Sequence, residues 1–521
     1  MVNKFISGTL ILTLSGFVVK AIGSINWIIL SRILGGEGIG IYQMAFPIYL
    51  LALEVSSAGI PIAISIITAE KVAKEDYLGA KRIFHVSLTM LCTTALVLSI
   101  LVFFGSRFFI DEHIIRESRA YWSLIALAPA VFFTTVIAGF RGYLQGWRQM
   151  APTAISQITE QIVRVITMLG FASFLMPYGL EYAAGGASLG AGFGGLAALL
   201  VLLFFYHRLQ QSLPKIQAPL YPQDNVLHIL KRLVSLSIPI SMASIMLPVV
   251  SNLDLLIVPR RLEVAGFTTH QATELFGYLT GMSVPLVTLA TILTIAMAMN
   301  LVPTISHYFT LGNKEEIYQR TSSALRVSFL VTIPFSVLLF VMASPVVTFI
   351  YNAPAAAPAT RTLAIAIFFL GMHQITTAIL QGLKRPKIPV MNMIIAAAVK
   401  VCCNWFLVAI PTLGIRGAAC ATVADIGVAA LLNLIFIYRH TGYLIDIKLI
   451  LRNAFAAIIM GSIVSLLYMF LHVHVPLLIS LFLPCAIGMI IYIGIMMITG
   501  GITREDVSKI PYFNRFAHYL N

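Results

Sequence analysis

A small set of charged side chains lies inside runs of sequence that are otherwise almost wholly apolar: Lys20, Glu54, Glu160, Arg164, Lys400 and Asp425. By insertion scales a charge at the centre of a bilayer costs about 2.5 to 3.5 kcal/mol, so each must face a cavity or a partner. Their spacing puts them on defined faces. Thr9, Thr13, Gly16, Lys20, Gly23 and Trp27 lie alternately four and three residues apart and form one helical stripe. Gln157, Glu160, Gln161 and Arg164 share a face, with Glu160 one turn before Arg164. Lys400 carries Asn392 and Asn404 on its face, and Glu54 shares a stripe with Gln43, Pro47, Ser57 and Pro61. This is chemistry for holding a charged group or an ion, not for breaking bonds. Structural uses stand beside it. Glu160 and Arg164 also suit a locking pair, Glu54 suits a bond to backbone near Pro47 or Pro61, and Asp254 and Asp425 suit local pairs. His373 with Thr377 and Gln381 reads as a hydrogen-bonded packing face. Lys20 has no acid in its own run.

The elements that carry these residues are membrane helices. The chain has 521 residues, 59% hydrophobic and 10% charged, with a mean hydropathy of +0.93. Its apolar runs are about 20 residues long, as helices crossing a core of about 30 Å require, and too long for barrel strands. Fourteen spans are expected, the first at 8–34 and 40–69, the later ones including 233–258 and 273–304. No small-residue cleavage site follows Leu10–Ile22, so the first run is read as a span. All five cysteines lie in apolar runs, which implies neither disulfides nor zinc, and no phosphate-binding GxxxxGK[ST] loop occurs. No cofactor and no metal are expected. Lys and Arg concentrate on alternate connections (Lys71, Lys74, Lys81, Arg82; Lys384, Arg385, Lys387; Arg439, Lys448, Arg452), which puts both termini in the cytoplasm. The net charge of +14 then follows from topology and attraction to anionic lipid, with no nucleic-acid partner.

The chain also repeats itself. YLQGWRQMAPTAIS at 143–156 returns as ILQGLKRPKIPVMN at 379–392, and AIS at 63–65, Glu75, Tyr77 and Val86-Ser87 find counterparts in TIS at 304–306, Glu316, Tyr318 and Val327-Ser328. The repeated stretches read as tight basic hairpins between helices. Arg164 and Lys400 are equivalent in this register. An even number of spans per repeat keeps both copies in the same orientation, and parallel repeats of this kind commonly hold a transport site at their interface. The expected organisation is an all-α integral membrane protein of two pseudo-symmetric six-helix lobes, at 1–206 and 233–438. A cytoplasmic linker at 207–232 joins them, two further helices follow at 449–499, and a cytoplasmic tail occupies 500–521. The glycines from Gly185 to Gly195 are read as a surface for close helix approach.

These hairpins, the opening SGTLILTLSGFVVKAIGSINWIILSRILGGEGIGIYQMAF, and the AGIPIAIS and LVPTIS stretches resemble the polysaccharide and lipid flippase branch of the multidrug/oligosaccharidyl-lipid/polysaccharide exporter superfamily. Within it the resemblance is to stage V sporulation protein B-like transporters, whose relatives include lipid II flippases. It covers essentially the whole chain and implies the two-lobed exporter fold, with the final two helices bordering a groove for a polyprenyl tail. It further implies that Lys20, in VVKAIG, matches a cavity arginine of lipid II flippases that meets a diphosphate. Asn26 stands where that group has a second arginine, and GYLTGMSVP lacks a third.

The resulting expectation is a carrier in a bacterial cell membrane, not an enzyme. It would move a polyprenyl-diphosphate sugar outward by alternating access, for peptidoglycan, sporulation or exopolysaccharide synthesis. Its cavity residues would be Lys20, Arg164, Lys400, Asn26 and Asn404, between the lobes. Glu54, Glu160 and Asp425 would serve a coupling ion, Na⁺ or H⁺, or pair within the cavity. A drug or organic-cation antiporter, a channel and a non-transporting membrane scaffold are the alternatives.

Overall fold

The computed structural model describes residues 2–57, 59–214 and 224–501. The linker positions 215–223 and nearly all of the tail expected at 500–521 lie outside them, as do the side chains of Thr9 and Thr13. Every regular element among the described residues is helical. They divide into two compact units, 1–263 with 267–277, and 264–266 with 278–521.

In the first unit α1 is Val2–Ser57, α2 Ile60–Ala73, α3 Tyr77–Asp111, α4 Tyr121–Gly146, α5 Ala151–Leu175, α6 Leu180–Ser212, α7 Val226–Val264 and α8 Thr269–Gly277. A π-helical turn, Tyr278–Ser283, follows α8. In the second unit α9 is Val284–Ala290, α10 Ile292–Thr310, α11 Lys314–Val341, α12 Ala343–Tyr351, α13 Ala357–Leu363, α14 Ala366–Gly382, α15 Lys387–Leu407, α16 Ile415–Thr441, α17 Ile447–His474 and α18 Leu477–Ile498.

Eleven helical stretches among the described residues are long and apolar enough to cross a membrane, or twelve if Pro354–Leu363 and Ala366–Gly382, bent by 46°, count as one. Fourteen were expected, and the difference has local causes. Leu14–Ala73 counts once, yet 60 residues of helix would run about 90 Å, three times the hydrocarbon thickness. It covers both spans expected at 8–34 and 40–69, and α1 turns at Gly35, where φ is 66° and ψ −173°. The span expected at 273–304 still counts through α10, Ile292–Thr310, whereas the one expected at 233–258 falls in α7, Val226–Val264, which is not among the eleven.

The first unit packs around an aromatic box in which Phe84 meets Phe140, Tyr143 and Tyr206 with ring centroids 5.1, 4.4 and 5.0 Å away. Its α5–α6 contact is set by glycine. A Cβ on Gly186, Gly190 or Gly194 would stand 3.0, 2.9 or 2.7 Å from the carbonyl oxygens of Phe171, Arg164 and Glu160, so only bare backbone lets α6 lie this close. In the second unit a core from α10, α11, α14 and α16 extends onto α17 and α18. The Tyr492 hydroxyl in α18 reaches the Leu330 carbonyl of α11 at 3.1 Å, tying the last helix to the unit.

The same local devices occur in both units. Asp76 N–H donates to Lys71 O and Asn313 N–H to Tyr308 O, at 2.9 and 3.1 Å, and each of these residues caps the helix that follows. Ser99 Oγ donates to Ala128 O at 2.7 Å, and Ser336 Oγ to Ala364 O at 2.9 Å.

Candidate functional site

In the first unit α1 lies along α5. Ser15 Oγ is 3.5 Å from Gln157 Oε1, a Cβ on Gly23 would stand 3.2 Å from Gln161 Nε2, and Asn26 Nδ2 is 3.2 Å from Met168 Sδ. Asn26 is 4% exposed, and its Oδ1 has no hydrogen-bond partner among the described residues. Lys20, on the stripe with Gly16, Gly23 and Trp27, is exposed and forms no ion pair among the described residues; its carbonyl accepts from Ser24 Oγ at 3.0 Å.

Glu160 is held from two sides. Its Oε1 accepts from Arg164 Nη2 at 2.6 Å and its Oε2 from Arg141 Nη2 at 2.9 Å. Arg141 also donates from Nε to Ser156 Oγ at 3.1 Å. The i,i+4 pair expected from spacing is therefore one side of a three-residue cluster with two guanidiniums and one carboxylate, an excess of one positive charge. Arg141 lies outside the faces read from the sequence. It faces Glu160 because α4 and α5 form a hairpin through the LQG turn, which sequence spacing cannot convey.

Glu54 is half-buried and has no hydrogen bond or ion pair among the described residues. The carbonyl of Pro47 is satisfied instead by Asn252 Nδ2 of α7, at 2.8 Å.

In the second unit Lys400 is 7% exposed and its Nζ lies 3.8 Å from Asp425 Oδ2 of α16. Asp425 follows Gly414 at the same spacing as Gly190 follows Gly179, and Gly179 and Gly414 both precede their helix at positive φ. Where α6 presents bare backbone to Arg164, α16 presents a carboxylate to Lys400. Asn404 is 1% exposed. Asn392 Nδ2 donates to Asn433 Oδ1 at 2.8 Å, and Asn433 Nδ2 to Thr377 Oγ1 at 3.0 Å, which lies 3.4 Å from His373 Nε2. His373 thus sits at the end of a packing network. Among the described residues no three His, Cys, Asp or Glu side chains come together as a metal site.

One cluster escaped the sequence reading altogether. Arg119 Nη2 meets Glu37 Oε1 at 2.6 Å, and its Nε and Nη2 meet Glu117 Oε1 and Oε2 at 2.8 and 2.9 Å. His270 Nδ1 of α8 is 2.9 Å from the same Glu37 oxygen, and Thr273 Oγ1 is 3.0 Å from Glu117 Oε2. Burial alone would raise the Glu117 carboxyl, but the hydrogen bonds and charge of Arg119 overcome this and hold it below its usual value. Beneath the cluster a Cβ on Gly277 would stand 2.2 Å from Gly36 O, so α8 is docked against the start of the second half of α1. At the other end of the unit Lys71 Nζ bridges Asp76 and Asp224 at 3.1 and 2.8 Å, and hydrogen bonding to Lys71 lowers the Asp224 carboxyl.

The family model described as polysaccharide biosynthesis protein matches residues 5–309, and the MatE model matches residues 264–406. Stage V sporulation protein B of Bacillus subtilis (strain 168) is 30% identical over 98% of this chain and 99% of its own length. Lipid II flippase MurJ of the same organism is 24% identical over 89% of this chain and 88% of its own. Among solved structures, an inward closed conformation of the lipid II flippase MurJ superposes with a TM-score of 0.68 at 16% identity, covering 94% of this chain and 98% of that one. An inward-facing multidrug resistance MATE family transporter superposes at 0.66 and 16%, covering 84% and 98%. The chain is a multi-pass membrane protein that belongs to the polysaccharide biosynthesis protein family.

Proposed function

We propose that this transporter flips a lipid-linked sugar, carried on a polyprenyl diphosphate, from the cytoplasmic to the outer leaflet of a bacterial cell membrane by alternating access, with both termini in the cytoplasm. The observation that carries the reading is Lys20. It is an exposed cation on a membrane helix, without an acid to neutralise it among the described residues, beside a helix whose Arg141–Glu160–Arg164 cluster adds a further positive charge. A central cation of this kind needs an anionic counterpart, and a diphosphate supplies one. Lys400 is the corresponding cation of the second unit, held ready by Asp425. Asn26 and Asn404, both buried, orient the helices that carry Lys20 and Lys400. The names of the relatives at 30% and 24% identity, a sporulation protein and a lipid II flippase, support a lipid-linked cell-envelope substrate.

The membrane potential gives the transport its direction. At about 2.3 kcal/mol per elementary charge per 100 mV, roughly two negative charges on a diphosphate are driven outward by roughly 5 kcal/mol per 100 mV when the inside is negative. An organic-cation antiporter is the second reading, and Glu54 favours it, as a half-buried carboxylate free to hold a cation or a coupling Na⁺ or H⁺.

Proteoliposomes loaded with a fluorescent polyprenyl-diphosphate sugar separate the two. Wild-type protein should flip it faster under an inside-negative potential, Lys20→Ala should slow flipping about tenfold or more, and Lys20→Arg should largely preserve it. Equal rates for wild type and a folded Lys20→Ala would overturn the anion site. Loss of organic-cation uptake in Glu54→Gln, with lipid flipping absent from the wild type, would establish the second reading.

A further inference from the structure

Between α13, α14 and α16 the second unit carries an apolar groove enclosing about 340 Å³. Ile365 and Phe369 form one wall, and Val423, Gly427 and Leu431 the other, with Cys420 at one end. The groove exists because of Gly427. A Cβ there would sit 3.5 Å from the Phe369 ring, in ordinary contact, so any longer side chain would fill the space. It lies on helices that cross the membrane, where the surrounding solvent is hydrocarbon.

Two arginines adjoin the lining residues along the chain. Arg416, Cys420, Val423, Gly427 and Leu431 are spaced four, three, four and four apart and share one face of α16. Arg416 lies in the first turn of α16, where the helix dipole is also positive, and Arg361 lies in the last turn of α13, next to the lining residue Thr362. Both arginines are exposed, and neither forms an ion pair among the described residues. An apolar channel with one guanidinium a helical turn before Cys420 and another beside Thr362 in sequence is complementary to an acyl chain that ends at a phosphate.

We propose that this groove holds one acyl chain of an anionic glycerophospholipid whose phosphate rests on Arg361 and Arg416. The length fits. From Cys420 to Leu431 the helix rises about 16 Å at 1.5 Å per residue, close to half of the roughly 30 Å hydrocarbon core and therefore one leaflet deep. A long polyprenyl chain would overrun it. The bound chain lies against Ala424 and Val428, on either side of Asp425, so it braces the stretch of α16 that delivers the carboxylate to Lys400.

Native mass spectrometry of the full-length protein, with phosphatidylglycerol, phosphatidylethanolamine and a polyprenyl phosphate added separately, tests the assignment. Phosphatidylglycerol should be retained better than phosphatidylethanolamine. The double variant Arg361→Ala/Arg416→Ala should weaken phosphatidylglycerol retention roughly tenfold or more, two surface cations being removed. Gly427→Leu should weaken retention of both phospholipids, while Gly427→Ala, whose methyl fits, should not. Both arginines are exposed, so the double variant decides the question even if Gly427→Leu fails to fold. Unchanged phosphatidylglycerol retention in the double variant would overturn the site. So would a loss confined to polyprenyl phosphate, which would make the occupant a substrate tail.

Discussion

Arg148 and Lys384 share the same left-handed backbone conformation, with φ of 58° and 59°, at the tips of two hairpins whose sequences repeat. The hydrogen bonds repeat as well: Gln149 N–H to Leu144 O at 3.0 Å, and Arg385 N–H to Leu380 O at 2.9 Å. The polar punctuation of YLQGWRQ and ILQGLKR is a turn, built from residues that bear a steric penalty of about 1 to 2 kcal/mol in that conformation. Elsewhere one copy has already removed the penalty: Asp76 and Asn313 are the equivalent caps, so Glu75 at φ 58° stands in the turn where the other copy has Gly312 at φ 70°, and not opposite Glu316 as the sequence register had it.

Arg148→Gly and Lys384→Gly should therefore be neutral or stabilising by up to about 1 kcal/mol, the relief of strain being partly offset by glycine's unfolded-state entropy. A β-branched Val at either place should destabilise. Thermal unfolding in detergent measures both. A clear loss of stability in the glycine variants would mean that the basic side chain, and not the turn, is what the position needs.

Glu160 pairs with two guanidiniums, so Glu160→Gln strands both. Breaking a buried pair by removing one partner costs about 3 to 5 kcal/mol, and Glu160→Gln should lower the unfolding temperature accordingly. Adding Arg141→Leu should recover part of that loss, because one uncompensated charge goes with it. No recovery in the double variant would show that Arg141 and Glu160 are not energetically coupled.

What the sequence disclosed and what it hid separate along physical lines. Membrane helices, the hairpin repeats, the Glu160–Arg164 pair and the equivalence of Arg164 and Lys400 rest on composition and short periodic spacing, which the chain states openly. The glycine ridge of α6 was legible for the same reason. Arg141 at Glu160, Asp425 at Lys400, and the cluster of Glu37, Glu117, Arg119 and His270 join residues on different helices. No periodicity records such pairings. The span count departed where α1 turns at Gly35 and where Pro354–Leu363 and Ala366–Gly382 bend by 46°, since hydropathy measures apolar length and is blind to the direction of the axis.

The Glu117 cluster should make the docking of α8 acid-sensitive. Its carboxyl is held below the ordinary value of 4.5, so its contribution is fully present above that pH and is lost as pH falls through the lowered value. Hydrogen exchange of residues 267–277 should stay slow from neutral pH down to the ordinary carboxylate value and accelerate only below it. Glu117→Gln should give faster exchange already at neutral pH and a flatter profile. An unchanged acid profile in that variant would assign the sensitivity to another group, Glu37 first.

Lys400 and Asp425 offer a test of how the second unit keeps its cation. Their nitrogen–oxygen separation is 3.8 Å, and their side chains are 9% and 18% exposed. Desolvation therefore weighs heavily on each charge, and the pair compensates both only while intact. Asp425→Asn leaves a buried ammonium against α16 and should cost roughly 3 kcal/mol in detergent unfolding. Lys400→Met takes the ammonium away from the Asp425 carboxylate and should cost a similar amount. The double variant, which removes both charges, should regain most of the stability, since apolar replacement of a buried pair is often neutral. Flipping should behave differently. If Lys400 serves the headgroup of a lipid-linked sugar, the double variant should fold as well as the wild type yet transport more slowly, by about tenfold. A double variant that regains stability and transport together would make Lys400–Asp425 a structural tie between α15 and α16, and would leave Lys20 and Arg164 as the cations that meet the substrate.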